Sequence, residues 1–259
     1  MNLRLPLFAV AFVSLLQAQA PARPEFEVAS LKPNASGNAG FAVRAMPAGI
    51  KATNISLKRL IALGYSVTDY QIFGDLPWLE TQRFDVEAKA SKLTALPELR
   101  LMTQSMLDER FKLKFHRESR ELSIYSLTLV KSGAKGPGLV DAPTEPCPPP
   151  TTATVRCGTV STYFGRIIGE RGRISQLADR LSTMLGRTVV DKTGLTESYD
   201  IDLRFAPDPG LQLPPGPPGE PSGASIFTAI QEQLGLKLQA GKGPVEVIVV
   251  DSAEKPEGN

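Results

Sequence analysis

The sequence predicts an α+β fold of two similar halves, each holding two helix-strand-strand units with the helices on one face of a mainly antiparallel sheet. Three observations lead there. Four short, one-sided helical stripes recur along the chain, and each is followed by strand-like runs. The runs alternate apolar and polar residues, the period of a strand with one drier and one wetter face. The pattern aromatic-acid-aliphatic-acid occurs twice, as Phe84-Asp85-Val86-Glu87 and as Tyr199-Asp200-Ile201-Asp202.

Residues 1–22 read as an export signal. One positive charge at Arg4 precedes an apolar run from Leu5 to Leu16, and a small-residue patch, Ala18-Gln19-Ala20-Pro21-Ala22, follows. That order is the grammar of a cleaved signal peptide. The run is shorter than the roughly 20 residues a bilayer span needs. Cleavage fits after Ala20 or after Ala22, and no cysteine follows to carry a lipid. The mature chain is expected in the periplasm or outside the cell, without a membrane span.

The first helix is expected over Ser56 to Leu63, with Leu57, Leu60 and Ile61 on one face and Gly64 as its stop. The second runs from Pro97 to Arg110, opens on proline and stripes Leu99, Met102, Met106 and Leu107. The third, Ser175 to Leu185, is read as capped by its serine and stopped by Gly186; the fourth follows Ser225 and stops at Gly235. Strands are expected at Tyr70–Phe73, Arg83–Lys89, Arg187–Val190 and Tyr199–Phe205. After the second and fourth helices, Phe111-Lys112-Leu113-Lys114 answers Leu236-Lys237-Leu238-Gln239, and Tyr125 to Val130 answers Val245 to Val250. The halves are therefore placed at 24–135 and 161–254. A Pro/Gly-rich linker, 136–160, separates them, and a second proline-rich loop covers 206–223.

Composition narrows the function. A net charge of +2 argues against nucleic acid, which selects a basic face. The two cysteines, Cys147 and Cys157, are expected to pair in an oxidising compartment and to stabilise by about 3 kcal/mol through loop closure. A metal site would need more ligands, and the single histidine, His116, is far away in sequence. No cofactor is expected.

Four blocks carry a resemblance: Phe26-Glu27-Val28-Ala29-Ser30-Leu31-Lys32-Pro33-Asn34, Glu109 to Glu118, Asp191-Lys192-Thr193-Gly194-Leu195-Thr196 and Gln233 to Leu238. Together they resemble a large paralogous family of secreted acidobacterial proteins of unknown function. The resemblance implies export and assigns no activity. The helix, Leu-Gly stop and two-strand units also resemble the short N-terminal domain shared by secretins and TonB-dependent receptors, which implies protein contacts rather than chemistry.

Three constellations mimic enzymes. Ser132-Gly133-Ala134-Lys135 with Lys192-Thr193-Gly194 echoes the β-lactamase motifs, but the serine follows a strand and no helix can carry the lysine to it. A Ser-His-acid set must use His116, which alternation puts on a polar face with Lys112 and Lys114. The acids Asp85, Glu87, Asp200 and Asp202 would be the pair-forming carboxylates of a hydrolase acting on an envelope or extracellular polymer, if a cleft between the halves gathered them. Their repetition fits a shared structural role, such as satisfying loop amides. Trp78, the only tryptophan, is either a contact anchor or a lid on the first helix. The expectation is thus an exported binding or interaction module whose partner is an envelope or extracellular protein or peptide, with the hydrolase as the alternative.

Overall fold

The computed structural model describes residues 23–37, 40–130, 135–144, 147, 157–208, 210–213 and 223–256. The expected export signal, Ser132 to Ala134, most of the linker and the central part of the proline-rich loop fall outside the described residues. The fold is α+β with mainly antiparallel sheets.

The chain enters through β1 (Val28–Pro33), then β2 (Ala42–Met46) and β3 (Gly49–Ser56), which form a hairpin. Ser56 ends that strand and caps α1 (Leu57–Tyr65), its side chain accepting from the Arg59 amide. A 3₁₀ turn (Asp69–Gln71) leads to β4 (Ile72–Gly74) and then to β5 (Arg83–Lys89). The first sheet has the order β1-β5-β3-β2. Helix α2 (Leu96–Phe111) and strand β6 (Lys114–Leu129) follow.

Later elements repeat this order. β7 (Leu139–Asp141), β8 (Thr159–Tyr163) and β9 (Arg166–Gly172) lead to α3 (Ile174–Leu185), β10 (Val189–Asp191) and β11 (Tyr199–Arg204). Their sheet has the order β7-β11-β9-β8, matching the first position for position. Helix α4 (Ile226–Ala229), continued by a π-type turn (Ile230–Leu234), then feeds β12 (Leu236–Ser252).

The third sheet joins the two groups, in the order β10-β6-β12-β4. Strands β6 and β12 run antiparallel along their whole length, from Leu236 opposite Leu129 to Ser252 opposite Lys114. β4 lies parallel to β12 at Ile248–Val250, and β10 lies parallel to β6 at Tyr125–Leu127. Each long strand therefore serves two cores. Ile248 and Val250 pack with Leu57, Leu60, Ile61, Phe84, Leu107 and Phe111, whereas Leu127 packs with Leu177, Leu181, Tyr199, Ile201, Ile230 and Leu234. Each such fully buried aliphatic side chain contributes about 1.5–3 kcal/mol.

Several expectations need correction. The strands expected at Phe111–Lys114 and Tyr125–Val130 are pieces of one strand, as are those at Leu236–Gln239 and Val245–Val250. Residues 116–121 are all polar, so the apolar-polar alternation of the sequence is lost there, although exposure still alternates from Arg117 to Ile124 and the ladder continues. Phe111 closes α2 and is fully buried, and Lys112 is its left-handed cap with φ 48°; neither belongs to a strand. Equivalent positions of the two long strands pair Leu113 with Leu236 and Tyr125 with Ile248, rather than Phe111 with Leu236 and Tyr125 with Val245. Gly64 does not end α1. It is helical, and a Cβ there would meet Thr103 Cγ2 of α2 at 3.3 Å, so the glycine permits the close approach of two helices; Ser66 takes the left-handed cap instead. Arg173 rather than Ser175 caps α3, while Gly186 and Gly235 stop their helices with φ 59° and 68°.

Candidate functional site

The repeated acids come first. Strand β3 carries a bulge opposite β5 at Asn54, whose φ is 57°, and β9 carries one opposite β11 at Arg171, whose φ is 51°. Left-handed backbone costs a non-glycine residue about 1–2 kcal/mol, so something must hold it. Asp85 Oδ1 accepts from the Asn54 amide at 2.9 Å, and Asp200 Oδ1 accepts from the Arg171 amide at 2.8 Å. Asp85 Oδ1 also accepts from Asn34 Nδ2 at 2.8 Å, which ties in the end of β1.

The outer acids are ion-paired. Asp202 accepts from Arg166 Nε and Nη2, both at 2.8 Å, and this bidentate bond holds its carboxyl below the usual range. Glu87 is likewise lowered, first by its hydrogen bond from Lys89 and then by the charge of Lys51. None of the four acids lines the clefts described below.

His116 is exposed on β6, and its Nδ1 lies 2.8 Å from Asp251 Oδ1 of β12. Lys192, Thr193 and Gly194 form a turn in which Asp191 Oδ1 accepts from the Thr193 amide and hydroxyl. Ser132 lies outside the described residues, as Lys135 does not; Lys135 pairs with Asp141 and sits 5.1 Å from the Tyr199 ring. Trp78 lies on the first core, stacked on Phe111 and edge-on to Phe84 at 6.5 Å each, with Lys255 over its ring at 5.9 Å. Cys147 and Cys157 are joined as a disulfide with Cα atoms 5.6 Å apart. Among the described residues, no cluster of three metal-ligating side chains occurs and no helix is long and apolar enough to cross a membrane.

The open features lie elsewhere. Strand β4 has β12 on one side and no strand on the other among the described residues. Along it runs a cleft of about 640 Å³, walled by Phe73, Leu76 and Leu79, with Asp75 exposed at its end. The other charges of the cleft are engaged: Lys58 with Glu80 at 2.6 Å, Arg120 with Glu118, and Asp251 with His116. Arg120 also lies over the Phe73 ring at 4.4 Å. The counterpart edge, β10, is differently finished. Ser182 Oγ accepts from the Val189 amide, where the Asp69 carbonyl accepts from the Ile72 amide of β4, and Asp191 turns its carboxylate onto Thr193, where β4 has the bare Gly74. Gly74 is required there, since a Cβ would meet Val250 at 3.0 Å.

A second cleft, of about 700 Å³, lies between the two cores. Sequence reasoning pointed to neither. The edge of β4 exists only once β12 has paired with it, and the second cleft gathers residues from three helices.

This is a disulfide-bonded α+β protein in which three sheets share two cores. Residues 58–253 match the family model described as Protein of unknown function (DUF3738), and the chain belongs to that family. No curated protein and no solved structure matches the chain.

Proposed function

We propose that the chain is an exported, non-enzymatic binding module of the bacterial envelope or exterior, built from two related halves, whose ligand is an extended peptide segment laid along β4. The open β4 edge beside its apolar cleft carries this reading. A sheet edge presents unpaired backbone groups, and only another strand satisfies them in register. One amide of each edge is already taken, Ile72 by the Asp69 carbonyl and Val189 by Ser182 Oγ, but the end of β10 carries an aspartate bonded to Thr193 where β4 has the bare Gly74. Asp75, exposed and without an ion pair among the described residues, favours a basic residue in the ligand, and Phe73, Leu76 and Leu79 favour an apolar one beside it.

Export is supported by the signal grammar of residues 1–22 and by the Cys147–Cys157 disulfide, which suits an oxidising compartment. The relation of the halves is supported by the matching sheet orders and the two acid-held bulges. The alternative, a carboxylate hydrolase, finds its four acids bonded to amides or cations.

The test is selection of random displayed peptides against the mature protein, followed by fluorescence anisotropy of the best binder. Binding that Asp75→Lys weakens at least tenfold and Asp191→Asn leaves unchanged supports the reading. Equal binding by Asp75→Lys overturns the β4 site, and cleavage of the peptide overturns the non-enzymatic role.

A further inference from the structure

The first sheet (β1-β5-β3-β2) and its counterpart (β7-β11-β9-β8) are closed differently at one end. In the counterpart, the exit of β7 and the entry of β8 belong to the two edge strands. Both lie at the same end, since Asp141 pairs with Tyr199, Tyr199 with Gly172, and Thr159 with Glu170. The Cys147–Cys157 bond joins the segment after β7 to the entry of β8 across that end. Cys147 also lines a cleft of about 610 Å³, whose other walls include Ala142, Thr144, Arg173, Gln176 and Glu197.

The first sheet shows how such an end holds without a disulfide. Phe84 and Tyr199 are equivalent, so Pro33 answers Asp141 and Asn34 answers Ala142. The Asn34 amide donates to the Arg83 carbonyl just as the Ala142 amide donates to the Ser198 carbonyl. The side-chain ties then differ. Asn34 Nδ2 donates to Asp85 at 2.8 Å, and Asn54 Nδ2 donates to the Gly40 carbonyl before β2. In the counterpart sheet, alanine stands for Asn34 and Arg171 for Asn54, so neither amide side chain is present.

Among the described residues, Pro143, Thr144 and Cys147 make no hydrogen bond, which leaves the disulfide to hold this stretch to the entry of β8. The β8 side is held independently. The Gly158 amide donates to the Glu170 carbonyl at 2.7 Å, and the Gly158 carbonyl accepts from Gln176 Nε2 at 3.0 Å. Breaking the disulfide therefore frees the β7 side and leaves β8 in place. Cys147 is exposed and Cys157 half-buried, so a reductant reaches the bond from the side that is freed.

We propose that the Cys147–Cys157 bond is a redox-sensitive clasp, opened by a dithiol reductant, whose opening releases residues 142–147 and removes one wall of the cleft while the first sheet stays closed. A thiolate of the reductant attacks Cys147 Sγ, the S–S bond breaks, and Cys157 leaves as a thiolate. The second thiol of the reductant then attacks the mixed disulfide and displaces Cys147. Two electrons and two protons pass to the protein as two thiols, and the reductant leaves as its own disulfide. The clasp is separate from the β4 edge and independent of the reading made for it.

Amide exchange of the protein from residue 23 onward, oxidised and after dithiothreitol, reads the clasp. Reduction should speed exchange at Ala142 at least tenfold and leave Asn34 and Gly158 unchanged, with the melting transition still cooperative. The double variant Cys147→Ser, Cys157→Ser should behave as the reduced parent. Adding Ala142→Asn to it supplies the amide side chain that Asn34 supplies in the first sheet, and should bring exchange at that position back toward the oxidised value. Unchanged exchange at Ala142 on reduction, or loss of protection at Asn34 and Gly158 as well, would overturn the clasp, as would an added Ala142→Asn that slows nothing.

Discussion

Replacing Asp200 by alanine removes the acceptor that holds the Arg171 amide at 2.8 Å in a left-handed bulge. A hydrogen bond to a charged group contributes about 1.5–3 kcal/mol, and the variant leaves the Arg171 amide without this carboxylate. The expected loss is about 2 kcal/mol, or roughly 4–8 °C in melting temperature for a chain of this size. Asp85→Ala should cost more, about 3 kcal/mol, because that carboxylate accepts from both the Asn54 amide and Asn34 Nδ2. The two sites lie in different sheets, so the double variant should lose close to the sum. Asparagine keeps a carbonyl acceptor, and Asp200→Asn should recover much of the loss. Urea unfolding monitored by circular dichroism measures each value. If either alanine variant stays within about 0.5 kcal/mol of the parent, the carboxylates do not hold the bulges and the reasoning fails.

Other outcomes follow from local geometry. Lys112→Gly should stabilise by about 1 kcal/mol, because Lys112 is exposed and left-handed at φ 48°, and a lower urea midpoint would contradict this. Replacing Cys147 and Cys157 by serine should cost about 2–3 kcal/mol on the loop-closure account, and mass spectrometry of the unreduced parent should find no free thiol. Asp179 has a folded-state pKa raised above 3.8, so its ionised form destabilises the fold at neutral pH, and that penalty disappears as pH falls below the unfolded value. Asp179→Asn should therefore raise the melting temperature near pH 7 and leave it unchanged near pH 3; equal effects at both would refute the assignment. Asp202 behaves oppositely: its lowered pKa contributes stability above the unfolded carboxylate range that is lost on acidification, and Asp202→Asn should flatten that part of the acid profile.

The helices were legible because each buries one stripe, and Gly186 and Gly235 mark true left-handed stops. Gly64 misled because glycine also serves close helix contact, and only α2 packed against it reveals which role applies. Strands β5 and β11 were visible as alternating runs. The hairpins β2–β3 and β8–β9 were not, since their turns, Pro47-Ala48 and Phe164-Gly165, lack the strongest turn pairs and much of β2 is exposed. The long strands escaped for a different reason: residues 116–121 of β6 are all polar, so its middle reads as loop, although Ile124, Val245 and Val247 are buried on the same ribbon.

The candidate site was less legible. The repeat of Phe84-Asp85 in Tyr199-Asp200 correctly flagged a shared role, yet its partners, Asn54 and Arg171, are unlike residues whose backbone amides do the bonding. Backbone partners leave no trace in side-chain identity. Trp78 drew notice as a lone tryptophan, and its ring stacks on Phe111. The edge of β4 and the cleft between the cores arise from tertiary pairing, which no local pattern encodes.

Hydrogen exchange on the protein from residue 23 onward, with and without a peptide selected by display, tests the central claim most directly. Addition of a strand at β4 predicts new amide protection at Gly74, since the Ile72 amide already donates to the Asp69 carbonyl, and none at Val189, whose amide donates to Ser182 Oγ. Protection confined to any other strand edge, with β4 exchanging as in the free protein, would contradict it.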